Sequence, residues 1–150
     1  MLDFDIGSQD ILVLSNYRSG STAFDTMISR KYGLKDLGEA FNTRLKDPRW
    51  YEQNKAARNL VKVMPDQTDH PEFESVMSKS FVIGLSRRDV IAQISSLYIC
   101  RISGIWHQYS SVRDDYQIQI DRDFIRTVIK NVLDLRARYE KMKQIGRAHV

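Results

Sequence analysis

Cysteine is nearly missing from this chain: Cys100 stands alone among 150 residues, which excludes an internal disulfide or a thiolate metal cluster. A small, buried apolar role is expected for it. Histidine is almost as scarce, with three in all, and His70 has no histidine or carboxylate at ligand spacing. No metal site is therefore expected, and His70 reads as a helix cap or a surface residue. No stretch reaches the ~20 consecutive apolar residues of a membrane span. The opening Met1-Leu2-Asp3-Phe4-Asp5 lacks the basic and apolar regions of a signal peptide, so the expectation is a cytoplasmic protein without a membrane partner. Lys and Arg outnumber Asp and Glu by only 23 to 19, a formal charge of +4, and the basic residues are interspersed with acidic ones. That balance favours anionic ligands and gives no support to nucleic acid as a partner. Repeats and low-complexity tracts are absent too.

What is there suits one domain with a single core: 42% hydrophobic and 28% charged residues, the mix of an ordinary globular protein. The most informative stretch is residues 11 to 28. Ile11 to Leu14 are four consecutive branched apolar residues, as in a short parallel strand buried on both faces. Arg18-Ser19-Gly20-Ser21-Thr22 follows. Gly20 lets the backbone turn and approach a ligand closely, and Ser19, Ser21 and Thr22 supply hydroxyls suited to a helix start. Phe24, Met27, Ile28 and Tyr32 then give the next helix one apolar face. Strand, small polar loop and helix make an anion site at the positive end of the helix dipole, beside Arg18. The same residues also fit a capped turn that holds no ligand.

Gly33 is expected as the left-handed exit of that helix. Lys35 to Phe41 can hold a short strand ending at Gly38-Glu39, which sets Glu39 at a strand end, either as a working carboxylate or as a solvated one. Residues 42 to 58 read as a loop and a short helix, with Trp50 plugging the core edge or lining an acceptor cleft. Asn59 to Met64 is a second buried strand stopped by Pro65, and Asp69 or His70 is expected to cap a helix with Pro71 in its first turn. Ser80 to Leu85 is a third strand, closed by the basic Ser86-Arg87-Arg88-Asp89 turn. A helix with Val90, Ile91, Ile94, Leu97 and Tyr98 on one face comes next, with Asp89 near its start. Residues 101 to 120, with Trp106, His107, Tyr109 and Tyr116, read as a loop over the sheet edge or a lid. Asp121 caps a last helix whose Phe124, Ile125, Val128, Val132, Leu135 and Tyr139 share a face. Two strand, basic turn, helix units joined by crossovers predict an α/β fold with a parallel sheet.

The loop Arg18-Ser19-Gly20-Ser21-Thr22, with Arg88-Asp89 and Ser96 eight residues beyond that arginine, resembles the two cofactor signatures of the sulfotransferases. These enzymes use 3′-phosphoadenosine 5′-phosphosulfate, PAPS, and release PAP. The first family signature cradles the 5′ phosphosulfate, and the proline usual before its basic residue is Tyr17 here. In the second, an arginine at a strand end and a serine on the next helix grip the 3′ phosphate. Arg88 with Ser96 fits that spacing and so does Arg87 with Ser95, Arg88 being preferred because Asp89 follows it. Gly38-Glu39-Ala40-Phe41 resembles the segment in which some carbohydrate sulfotransferases carry a catalytic glutamate. The histidine that other members use is missing from Lys62-Val63-Met64-Pro65-Asp66, so the resemblance favours the glutamate branch, with Asp66 the reserve candidate for base or acceptor contact. The Gly-x-x-x-x-Gly-Lys-Ser/Thr pattern of P-loop kinases does not occur.

The resemblance implies a three-layer α/β domain with a parallel sheet, flanking helices and a P-loop-like, sulfotransferase-like nucleotide site. It implies transfer of a sulfuryl group from PAPS to a hydroxyl or amine of a small-molecule or carbohydrate acceptor. Glu39 would be the base and Arg18 the charge stabiliser, with Arg18, Ser19, Gly20, Ser21, Thr22, Arg88 and Ser96 on the cofactor and no metal. The alternative is a non-catalytic or truncated anion-binding module of the same fold. Family members usually run longer, and Ile145-Gly146-Arg147-Ala148-His149-Val150 reads as a tail foreign to the domain, so the chain is expected to be an N-terminal part.

Overall fold

A computed structural model describes residues 3–104 and 120–147. Four parallel strands lie in the order β2-β3-β1-β4: β1 (Ile11–Ser15), β2 (Lys35–Asp36), β3 (Asn59–Val63) and β4 (Phe81–Leu85). Five helices accompany them: α1 (Ser21–Tyr32), α2 (Trp50–Asn54), α3 (Phe73–Lys79), α4 (Val90–Ser103) and α5 (Arg122–Arg147). Helices cover both faces of the sheet, so the chain is a three-layer α/β structure. Residues 145–147 prolong α5, while Trp106, His107, Tyr109 and Tyr116 lie outside the described residues.

β1 is central, with Ile11 opposite both Leu60 and Phe81, and it has no polar side chain before Ser15 because both its faces are covered. Leu12, Leu14, Val61 and Val63 point to the face closed by Tyr51, Phe73, Met77, Tyr139 and Met142. Ile11, Val13 and Leu60 point the other way, onto Ile28, Leu34 and Ile6. A third cluster joins Leu97 and Tyr98 of α4 to Val128 and Val132 of α5, and Trp50 packs at the edge of the first. Each fully buried aliphatic side chain here contributes about 1.5–3 kcal/mol of transfer free energy.

Several local expectations are corrected. β2 is only Lys35–Asp36, because the Asp36 carboxylate accepts the Gly38 N–H at 2.8 Å and turns the chain. A further rung survives, Lys62 N–H to Gly38 C=O at 2.9 Å, so Glu39 still emerges at the end of that edge. α3 starts at Phe73 with Glu72 at its cap position, not at Asp69 or His70. His70 is buried, stacks on Phe41 with ring centroids 4.5 Å apart, and accepts the Glu72 N–H at Nδ1, 3.2 Å. Its Nε2–H therefore donates to Pro48 C=O at 3.1 Å, which ties three loops and rules out a surface role.

The helix faces differ from the apolar period in two places. On α1, Met27 is exposed while Asp25 and Ser29 are buried; on α4, Ile91 is exposed while Gln93 is buried. Both exchanges put a polar side chain inside because a partner waits there: Lys62 for Asp25, and Arg136 for Gln93. Asp89 caps α4 by accepting the Ala92 N–H at 2.9 Å, and Asp121 caps α5 by accepting the Phe124 N–H at 3.0 Å, both as the sequence predicts. Cys100 is buried.

Candidate functional site

The carboxyl ends of β1, β3 and β4 and the N-terminus of α1 meet at residues 16–22. In an open parallel sheet this is the edge where ligands bind. The chain reverses there through two left-handed residues, Arg18 at φ 59° and Gly20 at φ 84°. Gly20 occupies that region without steric cost. An arginine does not, and a strained non-glycine residue persists only where its surroundings hold it. Those surroundings are visible. The Gln93 amide donates to Tyr17 C=O at 2.6 Å, and Arg136 on α5 donates to both the Gln93 amide oxygen and Arg87 C=O at 2.8 Å. The loop is thus tied from outside by α4 and α5.

Arg18 Nε donates to Ser96 Oγ at 2.8 Å, which joins the first loop to the helix after the second. The two segments singled out in the sequence, 78 residues apart, are in contact. At the second turn, Arg87 reaches back to Arg18 C=O at 3.5 Å, a marginal bond, while Arg88 is exposed and makes no hydrogen bond or ion pair among the described residues. Ser95 is exposed as well. The groups that face the loop are therefore Arg87 and Ser96, one from each of the two alternative pairings.

The hydroxyls expected to cap α1 do not cap it: among the described residues no side chain bonds its first-turn amides. Ser19 Oγ is buried without a partner among the described residues, and a buried hydroxyl left unpaired costs about 1–3 kcal/mol. Ser21 is buried, Thr22 exposed. An anion seated on the loop would meet the Ser19 hydroxyl, the helix amides and the Arg18 guanidinium together, so the residues present fit a phosphate or sulfate group.

Lys62, which the sequence reading quoted without a role, belongs to this site. It projects from β3 with 6% exposure, its Nζ 3.3 Å from Asp25 Oδ2 and 3.4 Å from Thr22 Oγ1. Burial pushes the Asp25 carboxyl up to about 6 against the pull of Lys62, and Asp36 and Glu39 add to the rise. Asp25 Oδ1 has no partner among the described residues. At Asp25, desolvation outweighs the attraction of Lys62. The available signal was a lysine inside an apolar strand run.

Glu39 is half-buried, and its Oε2 accepts from Asn42 Nδ2 at 3.0 Å and Gln67 Nε2 at 2.9 Å. Its Oε1 has no partner among the described residues, which leaves a lone pair for a proton. Asp66 instead accepts from the Tyr17 hydroxyl at 3.1 Å, and burial followed by the Asp66 charge raises the Tyr17 pKa. Asp66 is therefore tied to the loop through Tyr17, whereas the two donors to Glu39 both bond Oε2 and leave Oε1 open. No group of three or more His, Cys, Asp or Glu suited to a metal occurs among the described residues. No family model matches the chain, and no curated protein matches it.

Proposed function

We propose that the chain is a sulfotransferase that carries a sulfuryl group from PAPS to a hydroxyl or amine, most simply of a carbohydrate. The observation that carries the reading is the contact of Arg18 with Ser96 beside the unpartnered Ser19 hydroxyl. It joins two anion-binding segments at the ligand-binding edge of a parallel sheet, with a hydroxyl that has nothing else to bond. Bound PAPS would supply an activated sulfuryl group, with PAP as the leaving product.

The chain's own residues then have distinct tasks. Ser19, Gly20, Ser21 and Thr22 hold the 5′ phosphosulfate end through amides and hydroxyls, and Arg18 balances charge there without donating its proton. Ser96 holds the 3′ phosphate with an arginine of the second turn; Arg88 matches the family spacing, and Arg87 is the one that faces the loop. Lys62 adds a second cation next to Thr22. Glu39 takes the acceptor proton at Oε1 while Asn42 and Gln67 hold its other oxygen in place. Positioning and charge stabilisation are the main contributions, as in phosphoryl transfer.

Glu39→Gln tests the reading. General-base loss should lower sulfuryl transfer about a hundredfold or more, while PAP affinity by calorimetry stays at the wild-type value. Undiminished transfer would remove Glu39 as the base, and no transfer by the wild type to any of a panel of hydroxyl and amine acceptors would refute the enzyme.

A further inference from the structure

Beside the loop lies a cavity of about 300 Å³ lined by Tyr17, Arg44, Asp66, Leu97, Arg101, Asn131, Asp134, Leu135 and Arg138. It shares a wall with the site just described. Tyr17 directly precedes Arg18, Leu97 directly follows Ser96, and Gln67 next to Asp66 donates to Glu39. Glu39 is also close enough to add its charge to the factors that raise the Tyr17 pKa.

The charges of the cavity are unevenly matched. Asp134 pairs with Arg138 at 3.1 Å. Asp66 is taken up by the Tyr17 hydroxyl at 3.1 Å and stands 3.8 Å from Arg44, at the outer limit of an ion pair. Arg101 has no hydrogen bond or ion pair among the described residues, and Arg44 is 82% exposed. Two guanidiniums, Arg44 and Arg101, thus border the cavity with their charge largely unanswered, and Leu97 and Leu135 give its lining an apolar part. Asn131 and the remaining lone pairs of Asp66 can take hydroxyls.

We propose that this cavity is the acceptor site and that it selects an acidic sugar, one whose ring carries a carboxylate or sulfate beside its hydroxyls. The anion pairs with Arg101 and Arg44, the ring's apolar face rests on the leucines, and the hydroxyls bond to Asn131 and Asp66. Guanidiniums suit this task because their planar fork matches a carboxylate or sulfate with two parallel bonds. The acceptor role rests on the sulfotransferase reading; the preference for an anionic sugar rests on the cavity alone.

The test uses trigalacturonate and its uncharged counterpart galactotriose, which differ at the carboxylates, titrated into the chain by calorimetry with PAP binding measured separately. Trigalacturonate should bind at least about tenfold more tightly than galactotriose and weaken as salt rises. Arg101→Ala should remove about tenfold of that affinity and leave PAP affinity unchanged. Equal affinity for the two sugars, no binding of either, or unchanged trigalacturonate binding by both Arg101→Ala and Arg44→Ala overturns the proposal. Trigalacturonate binding with no PAP binding refutes the sulfotransferase reading while the anionic preference of the cavity stands. A sulfated galactose oligomer in a parallel titration distinguishes sulfate from carboxylate as the preferred anion.

Discussion

The two ends of the sheet treat buried polar groups in opposite ways. At the amino end, Asp10 accepts both the backbone and side-chain N–H of Asn59, at 2.7 and 3.2 Å, while Asn59 exchanges two bonds with Ala56 at 2.7 and 3.0 Å. The gap there is Arg58 Nε, on a guanidinium whose other nitrogens hold Tyr32 C=O and Gly7 C=O. At the carboxyl end, Ser19 Oγ and Asp25 Oδ1 are buried without partners among the described residues, Lys62 is buried against Asp25, and Arg18 is left-handed. One end closes on itself and the other keeps its bonding capacity for something outside the chain. Natural folds tolerate such gaps chiefly at sites of function, so the contrast supports the proposed site at the carboxyl end.

The largest test of that contrast is Lys62→Met. Removing the cation strands Asp25 in the interior and should destabilise the chain by about 3–5 kcal/mol. Lys62→Met with Asp25→Leu should recover most of that loss in urea denaturation and lose anion affinity, which separates stability from binding. A double variant as unstable as the single one would mean that the pair holds the fold together.

A pH series sharpens the same point. The Asp25 carboxyl, raised from 3.8 to about 6, binds its proton more tightly in the folded chain than in the unfolded one. Its contribution therefore favours the fold below pH 4 and is lost as pH rises through 6, the reverse of an ordinary paired carboxylate. Asp25→Asn should gain up to about 3 kcal/mol relative to wild type between pH 4 and pH 7. A stability difference that does not change with pH would show that Asp25 is not held in a desolvating site.

The closed end should respond differently. Asp10→Ala leaves the Asn59 backbone N–H unpaired and should cost about 2 kcal/mol, with anion affinity of the folded chain unchanged. Ser19→Ala removes a buried hydroxyl without a partner among the described residues, so stability should rise by about 1–3 kcal/mol while PAP affinity falls. Had the two ends been alike, these two variants would lose stability equally.

Much of this was legible in the sequence where the signal is contiguous. β1, β3 and β4 are mostly apolar runs, with Lys62 the one charge among them, Gly33 ends α1 in the left-handed conformation as expected, and the loop after β1 is where its small residues place it. Local pattern fails where a distant partner decides. The burial of Asp25 depends on Lys62, 37 positions on, and that of Gln93 on Arg136, and neither pairing has a periodic signature. β2 is two exposed residues set by a turn at Asp36, too short for any alternation to register. The start of α3 was displaced because His70 serves as a buried tie between loops. In the candidate site, spacing and resemblance single out the Arg18 loop, Glu39 and Ser96, whereas the tethers Gln93 and Arg136 follow only from three-dimensional contacts.

Calorimetric titration of PAP into the wild type, Arg18→Ala, Arg87→Ala and Arg88→Ala addresses the central claim most directly. The open end predicts clear binding by the wild type, loss of most of it in Arg18→Ala, and a smaller loss in whichever second-turn arginine grips the 3′ phosphate. Undetectable binding by the wild type, or equal binding by all four, would contradict the claim that the carboxyl end of the sheet is held open for this ligand.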